Sequence, residues 1–317
     1  MSIARLVKFL LVLGPVATAP LVGQATPGQP RRIALTFDDL PATGESVCDP
    51  ARVRRVTAQL TDLLEVRSLP AAGLVTPGRD CITYELLNET LRRWQDVGAV
   101  IGNHTATHPD LNSTSVTSYV ADIDRGQALI DAAVDTDGRW FRAPYLHAGD
   151  EPRKKAAVAD HLEQSGYRIA PVTVDNQEWV YAAVYADATA AGDNSLARRV
   201  ADAYVEHIEA SVEFYELLSI AVFGREIPQI LLLHANLLNA DHLASVVGML
   251  EDRGYQFIGL PEAVSDSAYD RPDTYVGPRG LSWIQRWAIE TGVPVPDEPR
   301  EAPWVAEAFR TIRGQAP

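Results

Sequence analysis

The chain has 317 residues, 46% of them hydrophobic and 22% charged, which is enough apolar material for one large core or two modest ones. Its formal net charge of -14 argues against nucleic acid as a partner, because a polyanion is held by basic patches that displace its counterions. Acidity on this scale serves solubility.

The chain opens with Arg5 and Lys8, followed by an apolar stretch from Phe9 to Val22 that Pro15 and Pro20 interrupt. A membrane-spanning helix needs roughly 20 unbroken apolar residues, so the stretch reads as an export signal. Gly23-Gln24-Ala25 offers a small-residue cleavage site, giving a signal peptide over residues 1–25, a linker over 26–30 and a secreted or periplasmic protein. An uncleaved anchor or a buried first helix is the alternative. No later segment is apolar and long enough to cross a bilayer.

From Arg31 onward short apolar strands alternate with helical patterns. Strands are predicted at Ile33–Phe37, Ala72–Val75, Ala99–Gly102, Trp140–Arg142, Arg168–Val174, Gln229–Leu233 and Gln256–Gly259. Helices are predicted at Ala51–Val66, Tyr84–Val97, Val116–Val134, Lys154–Gln164, Leu196–Leu218 and Asp241–Arg253. Alternation of this kind favours parallel pairing, with each crossover covered by its helix. The expected fold class is therefore α/β, a distorted (β/α)7 barrel over residues 31–268. Residues 269–317 are proline-rich, with a short helical piece at Ser282–Glu290, and read as a C-terminal extension packed on the barrel. Cys48 and Cys81 follow early strands in an exported chain, where a disulfide is permitted, but spacing alone leaves the pairing open.

Active sites of such barrels form at the C-terminal ends of the strands. The first strand ends in Thr36-Phe37-Asp38-Asp39, the third runs into His104-Thr105-Ala106-Thr107-His108, and the fourth ends in Arg142-Ala143-Pro144-Tyr145. The fifth reaches Asp175-Asn176-Gln177-Glu178-Trp179 and the sixth ends in Leu232-Leu233-His234. His104 and His108 are four apart, so a helical turn would put both imidazoles on one side. Two histidines and a carboxylate make a recognised zinc-site composition that leaves a position for water. Asp38 and Asp39 are adjacent at a strand end and point differently, so one can bind metal while the other faces the water.

These five motifs, in this order, resemble the polysaccharide deacetylase family (carbohydrate esterase family four, with its NodB homology domain), over roughly residues 31–265. The resemblance implies Asp38 as general base, Asp39, His104 and His108 as the metal triad, and Arg142 as the residue that orders the base. It implies a backbone N–H of Tyr145 at the oxyanion and His234 as general acid. Asp175 is the acid expected to tune His234, and Trp179 a wall against the acetyl methyl; Glu178 stands where the family has aspartate. Leu40-Pro41 and Ala235 also depart from the family pattern, at substrate-facing positions. The cofactor implied is one divalent ion, zinc first, with cobalt, nickel or manganese as alternatives. The partner implied is an acetylated carbohydrate polymer or oligomer, from which metal-activated water releases acetate. Two other readings use the same barrel: a catalytically inactive carbohydrate-binding protein, and an O-acetyl xylan esterase.

Several residues receive no catalytic role. His147 reads as a loop histidine, Asn236 follows the fifth motif, and His242 belongs to the following helix. His161 and His207 read as surface positions on amphipathic helices, and Trp283 and Trp287, four apart, as packing residues rather than sugar platforms.

Overall fold

A computed structural model describes residues 30–44 and 48–314; the expected signal peptide and all of the expected linker but Pro30 lie outside the described residues. Among the described residues seven strands form one parallel sheet: β1 (Arg31–Leu40), β2 (Ala71–Val75), β3 (Val100–Asn103), β4 (Arg139–Phe141), β5 (Tyr167–Ile169), β6 (Gln229–His234) and β7 (Tyr255–Phe257). Their order is β5-β4-β3-β2-β1-β6, with β7 also pairing β1. Helices cover the outside: α1 (Pro50–Arg67), α2 (Tyr84–Asp96), α3 (Val116–Ala133), α4 (Pro152–Gln164), α5 (Glu178–Ala190), α6 (Asn194–Phe223), α7 (Leu237–Asp252) and α8 (Leu260–Ala263). The architecture is the α/β distorted barrel that the alternation predicts.

The central strand β1 is buried from Ile33 to Leu40, as a strand covered on both faces must be, and so it reads as a near-continuous apolar run. Phe37 reaches outward to Trp94 of α2, ring centroids 5.3 Å apart. Local chemistry fixes the helix starts. Asp49 accepts hydrogen bonds from the backbone N–H groups of Ala51 and Arg52, with Pro50 in the first turn of α1, and Ser115 caps α3 through Ser118; both satisfy donors that a helix start leaves free. The β1–β6 register sets Asp38 opposite His234, so two chemistry-bearing residues far apart in sequence emerge side by side.

The fifth strand is shorter than predicted. Regular pairing ends at Ile169, and the chain then crosses to the other side of the barrel, where Val174 bridges to Leu231. Pro171 has no N–H to give a ladder, and the carbonyls of Ala170 and Pro171 accept hydrogen bonds from the buried Arg142 guanidinium at 3.0 and 3.1 Å. The sheet thus closes through an irregular segment whose polar groups point inward.

Among the described residues three helices lie outside the predicted set, the four-residue α8 and two longer ones. Helix α5, sequence EWVYAAVYADATA, is apolar nearly all round and so lacks the polar stripe that marks a surface helix. Helix α10 (Pro303–Ile312) follows the proline-rich run and, with α9 (Trp283–Thr291), belongs to the extension. Because α5 covers it, His207 is buried rather than on the surface: its Nε2 accepts from the Gln177 backbone N–H at 3.1 Å and its ring stacks on Tyr181. Trp287 is buried against Phe223 and Tyr269, a packing role. Cys48 and Cys81 form a disulfide with Cα atoms 5.2 Å apart. Among the described residues no helix is long and apolar enough to cross a membrane.

Candidate active site

The strand ends of β1, β3 and β6 open into a cleft of ≈ 820 Å³ whose lining includes Asp38, Asp39, His104, His108, Tyr145, Asp175, Trp179 and His234. At the end of β1 the backbone turns sharply, since Asp39 has φ 63°, a left-handed value that aspartate tolerates better than most residues. The two adjacent carboxylates therefore diverge, and each acquires its own partners.

Asp38 is buried against Arg142, whose Nη1 donates to Oδ1 at 2.6 Å. Arg142 is 1% exposed and also donates to the Thr36 hydroxyl and to the two carbonyls after β5. Every nitrogen of the guanidinium is engaged, which fixes both the cation and the carboxylate it holds. Asp39 Oδ1 accepts instead from the Thr76 hydroxyl at 3.1 Å and lies 3.4 Å from Arg79 Nη2.

One ligand atom each from Asp39, His104 and His108 lies within 4.8 Å of the others. His104 donates its Nδ1–H to the Arg142 carbonyl at 2.8 Å, which leaves Nε2 as the free ring nitrogen. His108 sits beside it, ring centroids 5.0 Å apart. The helical turn inferred between the two histidines is not present: residues 104–110 form a loop, with Thr105 at φ 66° and His108 at φ 61°. Asn103 Oδ1 accepts from Thr105 N at 2.7 Å, and Thr105 Oγ1 accepts from His108 N at 3.0 Å. Those side-chain bonds replace the helical ladder and bring the imidazoles together by another route. Burial lowers the His108 pKa to about 4, against the raising effect of Asp39, so its imidazole is neutral and its lone pair available at neutral pH. Burial pushes the Asp39 carboxyl up, but His108, His104, His234 and Arg79 outweigh it and hold the group well below the usual carboxylate range. The donor set, one carboxylate oxygen and two imidazole nitrogens, fits a divalent zinc-type ion.

The carboxylate on His234 is not the expected one. Glu178 Oε2 lies 2.7 Å from His234 Nδ1, and the other Glu178 oxygen accepts from the side-chain amides of Asn236 and of Asn239. Asp175 instead accepts from its neighbour Asn176 N at 2.8 Å. The reason is local: α5 begins at Glu178 and turns that side chain back under β6, while Asp175 stays on the cleft wall. Burial lowers the His234 pKa, yet Glu178 chiefly, with Asp39 and Asp38 adding, raises it to about 9. Burial lifts Asp175 to about 7, with the nearby Glu298 carboxylate adding to the rise. Glu178 was legible in the sequence as a carboxylate one position before Trp179; Asn236, Asn239, Thr76 and Arg79 carried no such signal.

Tyr145 lies in a tight turn, Pro144–Leu146, with φ 57°, its side chain half exposed and its ring edge-on to His108 at 4.5 Å. Trp179 is also partly exposed at the cleft wall, braced edge-on by Phe309 at 5.2 Å. His147 pairs with Asp110 through Nδ1 at 2.7 Å, and His242 lies in α7, near the Tyr185 hydroxyl.

Comparison with known proteins finds these likenesses. Residues 25–169 match the family model described as polysaccharide deacetylase. A chitin deacetylase of Colletotrichum lindemuthianum is 27% identical over 193 residues, covering 54% of this chain and 69% of that one. A peptidoglycan-N-acetylglucosamine deacetylase of Bacillus cereus is 24% identical over 172 residues, covering 52% of this chain; the chain spans about half, 54%, of that relative's length. Among solved structures, a polysaccharide deacetylase from Bacillus cereus has the same fold, with TM-score 0.50 and 19% identity, covering 72% of this chain and 91% of that one.

Proposed function

We propose, from the match of residues 25–169 to the polysaccharide deacetylase family model, that the protein is a hydrolase that removes acetyl groups from N-acetylated carbohydrate polymers of the chitin and peptidoglycan kind. The observation that carries the proposal is the convergence of Asp39, His104 and His108 within 4.8 Å, beside a separate carboxylate, Asp38, held at 2.6 Å by Arg142.

Asp39, His104 and His108 would hold one divalent ion, zinc by preference, whose chemistry is to polarise the acetyl carbonyl and make water more acidic. Asp38 takes the proton from the attacking water, and the hydrogen bond from Arg142 keeps its carboxylate aimed. The N–H of Tyr145 donates to the oxyanion that develops on the carbonyl; one such donor is worth about 3 kcal/mol. His234, cationic because Glu178 faces its Nδ1, carries its other nitrogen's proton to the leaving amine. Trp179 borders the cleft as an apolar wall for the acetyl group. The inactive carbohydrate-binding alternative is not favoured, since the residues proposed as acid, base and metal donors are all present. The export signal read from the first residues fits a polymer substrate met outside the cell.

The test is acetate release from chitin oligomers, peptidoglycan and acetylated xylan, before and after chelation and after re-addition of zinc, cobalt, nickel or manganese. Release from the first two that chelation abolishes and metal restores is the expected result. Release from xylan alone would make the protein an O-acetyl esterase, and no release from any would overturn the proposal.

A further inference from the structure

The turn that presents Tyr145 is an unfavourable one. Tyr145 and Leu146 stand at φ 57° and 54°, two successive non-glycine residues in the left-handed region, a conformation that persists only where the surroundings over-determine it. Inside the barrel the restraint is modest: Leu146 packs on Val172 and Leu232, and its N–H reaches only the Ala143 carbonyl within the same turn.

The remaining restraint comes from the C-terminal extension, which lies beyond the residues the family model matches. Arg286 of α9 donates from Nη2 to the Leu146 carbonyl at 2.6 Å. Its other nitrogens are committed to the Leu281 carbonyl at 2.9 Å and to Asp273 at 2.5 Å, and its plane lies over the Trp283 ring at 4.0 Å. Being 2% exposed and fully bonded, the guanidinium is a rigid clamp. On the adjoining peptide, Gly280 sits so close that a Cβ there would stand 1.9 Å from the Tyr145 carbonyl oxygen. The same segment is sewn to the barrel by Trp283 N to the Val172 carbonyl at 2.7 Å, Asn112 Nδ2 to the Pro278 carbonyl at 2.9 Å and Gly277 N to the Gly149 carbonyl at 3.3 Å.

We infer that the C-terminal extension is part of the catalytic apparatus, with Arg286 and Gly280 as positioning residues that fix the Tyr145–Leu146 turn and so the aim of the Tyr145 N–H. The inference rests on the deacetylase reading above. The bond to the Leu146 carbonyl and the close approach of Gly280 to the Tyr145 carbonyl set the tilt of the turn's peptide planes. An N–H displaced by a fraction of an ångström no longer meets the developing oxyanion, which is where preorganised donors act.

The experiment compares wild type with Gly280→Ala, Arg286→Met and Arg286→Lys, each checked for an intact melting transition and for bound metal. In Gly280→Ala and Arg286→Met, kcat is expected to fall about tenfold to a hundredfold, since loss of a whole oxyanion donor costs about 10² or more. KM and metal content stay within about twofold, and Arg286→Lys, which keeps a donor for the Leu146 carbonyl, recovers part of kcat. A tetrahedral phosphonate mimic of the acetyl group should bind more weakly by a similar factor, with deacetylated glucosamine oligomers bound as before. A merely structural role would lower the melting temperature without that split. If Arg286→Met fails to fold, Gly280→Ala and Arg286→Lys carry the same comparison. Folded variants with undiminished kcat and phosphonate affinity overturn the inference alone, whereas a wild type that releases no acetate from any polymer removes the deacetylase reading and this inference with it.

Discussion

Glu178 Oε2 faces His234 Nδ1 across 2.7 Å, a buried carboxylate–imidazole pair built from the first turn of α5 and the end of β6. The pair decides the charge of the histidine. Its pKa, ordinarily 6.5, stands at about 9, so the ring is cationic through the neutral range.

Replacing Glu178 by Gln should therefore pull the alkaline limb of the pH–rate profile from near 9 to below neutrality, with kcat at pH 8 down by about 10²-fold. The same linkage has a stability sign. A raised folded-state pKa contributes stability that is complete below pH 6.5 and is lost as pH rises through about 9. Melting curves of wild type against Glu178→Gln should converge above that pH, and a gap that persisted at pH 10 would contradict the pairing.

Asp175 gives the contrasting case. Burial lifts it to about 7, but it accepts its hydrogen bond from the Asn176 backbone N–H, not from His234. Asp175→Asn should leave the alkaline limb where it is and change kcat by less than about tenfold. A limb that moved as far as in Glu178→Gln would restore Asp175 as the tuning acid.

The two adjacent carboxylates should separate cleanly by metal analysis. Wild type is expected to carry about one divalent ion per chain, which Asp39→Ala or His104→Ala removes. Asp38→Asn should retain the ion and lose turnover by about 10² or more. An active Asp38→Asn enzyme would reject the base assignment.

Cys48–Cys81 closes a loop of sequence separation 33 that contains α1 and β2 and leads past Arg79 to the cleft. By loop-closure entropy its reduction should cost about 3–4 kcal/mol, a fall in melting temperature of roughly 5–10 °C. Calorimetry with and without reductant checks this, and an unchanged transition would place the bond's influence elsewhere.

Much of the fold was readable because its signals are local. The apolar runs at Ile33–Phe37 and Gln229–Leu233 and the amphipathic stretches between strands fall within β1, β6 and their crossover helices. Two misreadings share a cause. Helix α5 is apolar nearly all round, so it shows no periodicity, and without it His207 looked exposed. The pair His104 and His108 has helical spacing, yet Asn103 and Thr105 side chains bond the backbone of that loop and give it a different course.

The strand-end residues themselves, with their order along the chain, were settled by the sequence, because parallel β/α alternation sends every strand's C-terminal end to one rim and any ionisable residue there with it. Which carboxylate meets which base was decided only by tertiary structure. The left-handed backbone at Asp39 splits it from Asp38, and the start of α5 turns Glu178, rather than Asp175, toward His234. Such choices depend on sub-ångström direction and on burial by distant segments, the C-terminal extension among them, and spacing along a chain encodes neither.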